Sequence, residues 1–159
     1  MTQNPSSQAA DSGAQARFRQ GSWYSINIPS VSSQVIEVEE AIIEALAQTG
    51  FSEEEVFAVR LSLDEALANA IKHGNCADPN KSVFIRFCFD EKNITITVRD
   101  EGPGFDFNCV PDCTIDGNLE LPCGRGLLLM KAYMDRVSFN DKGNEVTLIK
   151  GRGNGTCAR

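Results

Sequence analysis

The sequence predicts an α+β fold, a two-layer α/β sandwich in which a mostly antiparallel sheet carries helices on one face. Three observations predict it. "KSVFIRFCFD" and "NITITVRD" alternate apolar and polar residues on either side of a short polar turn, the pattern of a β-hairpin. Two segments with apolar residues at helical spacing precede that hairpin, and one follows it. The resulting order, β-α-α-β-β-loop-α-β-β, partly segregates helices from strands and favours one sheet with helices on one side.

Residues 1–20 are rich in Ser, Gln, Ala and Asn, with Phe18 the one aromatic, and a disordered segment is expected there. A domain over 21–151 follows, then a flexible tail over 152–159. Within the domain, "SWYSINIP" alternates and stops at Pro29, giving a first strand from about Trp23 to Ile28. Ser30 or Ser32 can cap the helix "VIEVEEAIIEALAQTG", which Gly50 ends. Ser52 and Glu55 have the spacing of a capping box at the start of a second helix. That helix reaches about Lys72, with Val56, Val59, Leu63, Leu67, Ala70 and Ile71 on its apolar face and Gly74 as its stop. After the hairpin, 101–123 is too long for a tight turn, and loops of that length are usually functional or mobile. A third helix starts at about Gly124, and "RVSFN" and "EVTLIK" form the last strands around "DKGN".

The chain has 159 residues, 42% of them hydrophobic, enough for one domain with a real core. No apolar run approaches the roughly 20 residues of a membrane span, and the first 20 residues lack the pattern of a secretory signal. A net charge of -7 argues against broad nucleic-acid binding, which relies on Lys and Arg neutralising phosphates. Six cysteines without an export signal fit a reducing cytoplasm. Three of them, Cys109, Cys113 and Cys123, share one segment, but no CxxC pair or nearby His supports a metal site there.

Three segments can carry chemistry. In "SLDEALANAIKHGN", Glu65, Asn69 and His73 recur every four residues and share one helical stripe. A carboxylate there can orient or deprotonate a hydroxyl, and an amide oxygen suits Mg2+, which takes oxygen ligands. The ordinary alternative is a solvated helix flank, with His73 favourable near a helix C-terminus. In "RDEGPGF", Asp100 ends a strand and Gly102 and Gly104 leave bare backbone, so a flat ring can approach a carboxylate that accepts from an exocyclic amine. An ordinary strand-to-loop turn would look the same. In "GRGLLLM", Gly124 and Gly126 flank Arg125 where a helix opens, and free amides at such an end suit phosphate.

Together, in this order, ExxxN on a helix, DxGxG after a strand and GxG opening a helix resemble the nucleotide-binding boxes of the GHKL (Bergerat-fold) ATP-binding superfamily. "DEALANAIKHG", "DEGPGF" and "GRGLLLMKAYMDRV" look like its small stand-alone members, the anti-sigma-factor serine/threonine kinases of bacterial partner-switching systems. The likeness covers about residues 23–151 and implies a mixed sheet with helices on one face and ATP between helix and lid. It implies that Glu65 polarises the attacking group, and that Asn69 holds the Mg2+ bridging the phosphates of ATP. By the same likeness His73 lies near the phosphates or the lid hinge. Asp100 contacts the adenine amino group, Gly102 and Gly104 shape the adenine pocket, Gly124 and Gly126 hinge a lid, and Arg125 adds charge. The implied partners are a small antagonist (anti-anti-sigma) protein phosphorylated on Ser or Thr, and a sigma factor bound by a dimeric kinase.

The chain departs from the family's pattern in the lid and in the last box. "GNLELPC" has no Arg where the kinases often carry a lid Arg, and "GNEVTLIK" lacks a common Gly-Thr pair, although Asn144 and Thr147 offer polar groups. The main alternative is a noncatalytic module whose bound ATP or ADP sets partner affinity. A fragment of a histidine kinase is disfavoured, because the one His lies inside the first box and no helical dimerisation segment precedes it.

Overall fold

A computed structural model describes residues 17–106 and 122–153. Strands β1 (Tyr24–Pro29), β2 (Ser82–Phe89), β3 (Asn93–Arg99), β4 (Arg136–Phe139) and β5 (Glu145–Gly151) form one sheet in the order β1-β2-β3-β5-β4. Every pairing is antiparallel, so the sheet is not mixed as expected. The α+β two-layer class and the order of elements hold.

Helices α1 (Val35–Leu46), α2 (Glu53–Asn69) and α3 (Pro122–Tyr133) cover one face. Strand alternation decides which one. Val83, Ile85, Phe87 and Phe89 of β2 and Ile94, Ile96 and Val98 of β3 point inward and are buried, meeting Ile42, Leu46, Leu63, Leu67 and Met130 from the helices. Each such side chain contributes roughly 1.5–3 kcal/mol by leaving water. The alternate residues form an open face, where the Arg86 guanidinium lies 4.9 Å from the Trp23 ring and Arg99 4.8 Å from Phe84. Thr147 belongs to that open face, between inward Val146 and Leu148, so it cannot contribute to a site on the helical side.

The capping box forms as expected: Glu55 N–H donates to Ser52 Oγ (3.2 Å) and Ser52 N–H to Glu55 Oε2 (2.8 Å). Such a cap contributes about 1 kcal/mol. Neither Ser30 nor Ser32 caps α1, which instead follows a single 3-10 turn at Ser32–Gln34. The helix ends at Leu46, earlier than Gly50, where the Thr49 hydroxyl donates to the Leu46 carbonyl (2.6 Å). Phe18, within the segment expected to be disordered, is only 5% exposed and packs edge-on against Tyr24 and Phe87. The packed fold therefore begins before residue 21. At the other end, Arg152 N–H donates to Lys92 O (2.7 Å) and Gly153 N–H to Glu55 Oε1 (2.6 Å). Residues 1–16, 107–121 and 154–159, with Cys109 and Cys113, lie outside the described residues, and so does the Cys123 side chain. Among the described residues, no helix is long and apolar enough to cross a membrane.

Candidate functional site

A cavity of about 210 Å3 opens between the end of α2 and the loop after β3, with Asn69, His73, Asp100, Phe105, Met130 and Val146 among its walls. Helix α2 does not stop at Asn69. It continues as a π-wound turn, Ala70–Gly74, in which Asn75 N–H reaches back to the Ala70 carbonyl (2.8 Å). In an α-helix the Glu65–Asn69–His73 stripe advances by about 40° per step. The wider π turn rotates it back and keeps His73 beside the cavity. π turns cluster at functional sites.

Opposite α2, Asp100 follows the last residue of β3. Burial pushes its carboxyl above the usual carboxylate range, against the lowering effect of the Gly102 N–H donating to Oδ1 (2.8 Å) and of the Lys142 and Lys81 charges. The carboxylate belongs to the cavity wall. The glycines are required by close approach. A Cβ at Gly74 would fall on the Asp100 carboxylate, and one at Gly102 on the Gly74 carbonyl. Gly104 has φ +79, a conformation other residues rarely adopt, and a Cβ there would fall on the Lys142 carbonyl.

Asp100 is held from behind by the β4–β5 turn. Its N–H donates to Asn144 O (3.0 Å), and Asn144 Nδ2 donates to Asp100 O (3.0 Å). Asn140 fixes that turn, its Oδ1 accepting from the N–H groups of Gly143, Asn144 and Glu145 at 2.9–3.1 Å. Gly143 (φ +76) packs against the Phe105 backbone, so the two loops interlock. Phe105 and Phe139 meet edge to face at 5.4 Å beside the opening.

Of the predicted residues, Asn69, His73, Asp100 and Gly104 line the cavity, and Gly102 supports Asp100 from behind. Glu65 is not part of the lining. It is half-buried where α2 meets α3, and a Cβ at Gly126 would come within 2.7 Å of its Oε2 and 3.4 Å of Asn69 Nδ2. Helix α3 begins at Pro122, so Gly124 and Gly126 lie inside its first turns rather than before it, a correction to the expected start at Gly124. Ala58, Ser62 and Ala66 are buried on α2, and such small side chains allow close helix packing, which here lets Gly126 reach Glu65 and Asn69. Arg125 is exposed on α3.

Asn140, Asn144, Phe105 and Phe139 escaped the reading of single motifs as wall or support residues. Only the turn character of "DKGN" and the polar character of Asn144 were visible. The residues present fit a magnesium nucleotide. Asn69 brings a neutral amide to the cavity wall, Asp100 a half-buried carboxylate, and Gly74 and Gly104 leave the wall beside Asp100 without side chains of their own. Among the described residues no three His, Cys, Asp or Glu side chains converge as a self-sufficient metal cage. A cation held by Asn69 would thus take its remaining ligands from phosphate oxygens and water.

Comparison with known proteins points the same way. The histidine kinase-like ATPase domain family matches residues 28–150. The serine-protein kinase RsbW of Bacillus subtilis is 33% identical over 113 residues, covering 65% of this chain and 69% of that protein. An anti-sigma F factor of Oceanobacillus iheyensis is 30% identical over 132 residues, covering 79% and 90%. The RsbU and RsbW domains of a Mycobacterium tuberculosis protein, seen in a crystal structure, share the fold with a TM-score of 0.56 at 15% identity. That match covers 82% of this chain and 32% of the longer one.

Proposed function

The chain belongs to the histidine kinase-like ATPase family, and on that premise we propose that it is an ATP-dependent serine/threonine protein kinase that acts as an anti-sigma factor. It phosphorylates a small antagonist protein and sequesters a sigma factor, as a homodimer. The observation that carries this reading is the cavity with Asn69 and His73 at one end and the glycine-backed Asp100 at the other. The names of the similar kinase and anti-sigma factors support the choice of partners.

Asp100 accepts from the adenine amino group through its carboxylate, which selects ATP over GTP, because guanine presents a carbonyl there. Gly102 and Gly104 keep the wall open to a flat ring. Asn69 offers its amide oxygen to Mg2+, which when bound neutralises phosphate charge. His73 and Arg125 add donors and positive charge near the phosphates, with Gly124 and Gly126 shaping the helix end that faces them. Glu65 polarises the attacking Ser or Thr hydroxyl. Phosphoryl transfer needs positioning and charge neutralisation above all, so this small set suffices.

Incubation with radiolabelled ATP, Mg2+ and the antagonist protein tests the reading. Label should appear on Ser or Thr of that protein and be lost in Glu65→Gln, while ATP binding persists. A second reading, a noncatalytic module in which ATP or ADP sets partner affinity, is favoured by one observation: Glu65 lies beside Gly126, off the cavity lining. Nucleotide binding without label, with sigma-factor capture still dependent on ATP, would establish that alternative.

A further inference from the structure

Asn75 follows the π turn and is fully buried, at 0% exposure, yet it does not line the cavity. Its side chain joins separate parts of the chain. Nδ2 donates to Ser30 Oγ (2.7 Å), just after β1, and to the Ser82 carbonyl (2.9 Å), at the start of β2. Oδ1 accepts from the Glu101 N–H (2.8 Å), in the loop after β3. Two further bonds close the arrangement. The Ser30 hydroxyl donates to the Lys81 carbonyl (3.0 Å), and the Ser82 N–H donates to Glu101 Oε2 (2.6 Å).

The position of these bonds matters more than their number. Asn75 lies two residues beyond His73 and six beyond Asn69. Glu101 directly follows Asp100. The Asn75–Glu101 bond is therefore a crosslink between the element carrying the Asn69 end of the cavity and the loop carrying the Asp100 end. Between them there is no slack, since Gly74 lies against the Asp100 carboxylate and Gly102 against the Gly74 carbonyl. A shift of Glu101 by a fraction of an ångström displaces Asp100 relative to Asn69.

We infer that Asn75 is a positioning residue, setting the Asp100 carboxylate against Asn69 and His73 and so fixing the preference for adenine over guanine. This rests on the nucleotide-binding reading above. Only an amide fits the role, because the site asks one short side chain to donate twice and accept once within a buried volume. Aspartate has the same shape but presents oxygen to the Ser82 carbonyl, which repels it.

The test is calorimetric titration of MgATP and MgGTP into wild type, Asn75→Asp and Ser30→Ala, with thermal melts alongside. Asn75→Asp should bind ATP about tenfold more weakly or worse, the effect of losing one well-placed bond, while GTP affinity moves by about threefold or less. The ATP-to-GTP preference then collapses. Ser30→Ala removes one acceptor of the Asn75 amide and should shift the ratio the same way by about threefold. A purely structural role would lower the melting temperature and weaken both nucleotides alike. An unchanged ratio in these variants overturns the inference, and if Asn75→Asp does not fold, the ratio in Ser30→Ala decides. Wild type that shows no preference for ATP sinks the nucleotide reading itself, whereas a wild-type preference retained in both variants sinks only the role of Asn75.

Discussion

The Asp100 end of the cavity is walled by interlocked loops, and the Asn69 end by two packed helices. At the first, each backbone position is held by a neighbour: Asn144 holds Asp100, Asn140 holds the β4–β5 turn, and Gly104 and Gly143 pack each loop against the other. At the second, contact is made by small residues on α2 and by Gly126 against the flexible ends of Glu65 and Asn69. Bare backbone cannot yield, whereas a carboxylate at the end of two methylenes can. The loop end should therefore be intolerant of added atoms and selective for its ligand, and the helical end tolerant and tunable.

The sharpest test of that difference is Gly104→Ala. The methyl group would occupy the place of the Lys142 carbonyl on a backbone of positive φ, and a loss of roughly 2–4 kcal/mol of stability is expected, together with loss of ATP binding. Chemical denaturation and nucleotide titration read both, and a cost below about 0.5 kcal/mol would show that the loops can part. Next in size is Asp100→Asn. It keeps the shape but turns a charged acceptor into a neutral one, and ATP affinity should fall about 10–100-fold, with GTP affinity rising or unchanged. If ATP affinity is untouched, the adenine end has been assigned to the wrong wall.

A smaller effect separates both ends from the α1–α2 contact. There burial, then the hydrogen bond and charge of Asp64, push the Glu39 carboxyl up to about 7, with Arg60 pulling the other way. One Glu39 oxygen is buried without a hydrogen-bond partner. The sign follows from the direction. A raised acid holds its proton more tightly when folded, so its contribution to stability is present below about 4.5 and is lost as pH rises through about 7. Glu39→Gln should remove that dependence and stabilise the protein by about 1 kcal/mol at pH 8, allowing for solvent screening, with little change at pH 4. Melting curves across that range check it.

Smallest is Gly126→Ala. A helical Ala gains roughly 1 kcal/mol in propensity, offset by the crowding of Glu65 Oε2 at 2.7 Å, so stability should stay within about 0.5 kcal/mol of wild type. Phosphotransfer should fall several-fold as Glu65 is displaced, with ATP affinity preserved. A large loss of stability instead would make the helical end as rigid as the loop end.

Much of the fold was legible because its causes are local. Alternation in "NITITVRD" places Ile94, Ile96 and Val98 on one face whatever they meet, and Ser52 with Glu55 caps α2 through bonds three residues apart. The spacing of Asn69 and His73, and the glycines after Asp100, marked four of the residues that line the cavity. The burial of Phe18, by contrast, depended on rings of β1 and β2 that its own polar surroundings do not announce.

Which side of α2 Glu65 would face, that Asn144 would clasp Asp100, and that Asn75 would crosslink both ends of the cavity were decided only by folding. Periodicity and capping act across three or four residues and can be read in order along the chain. Those clasps join groups 26 to 45 residues apart. They exist only once the sheet has brought the loops into contact and burial has obliged each polar group to find a partner.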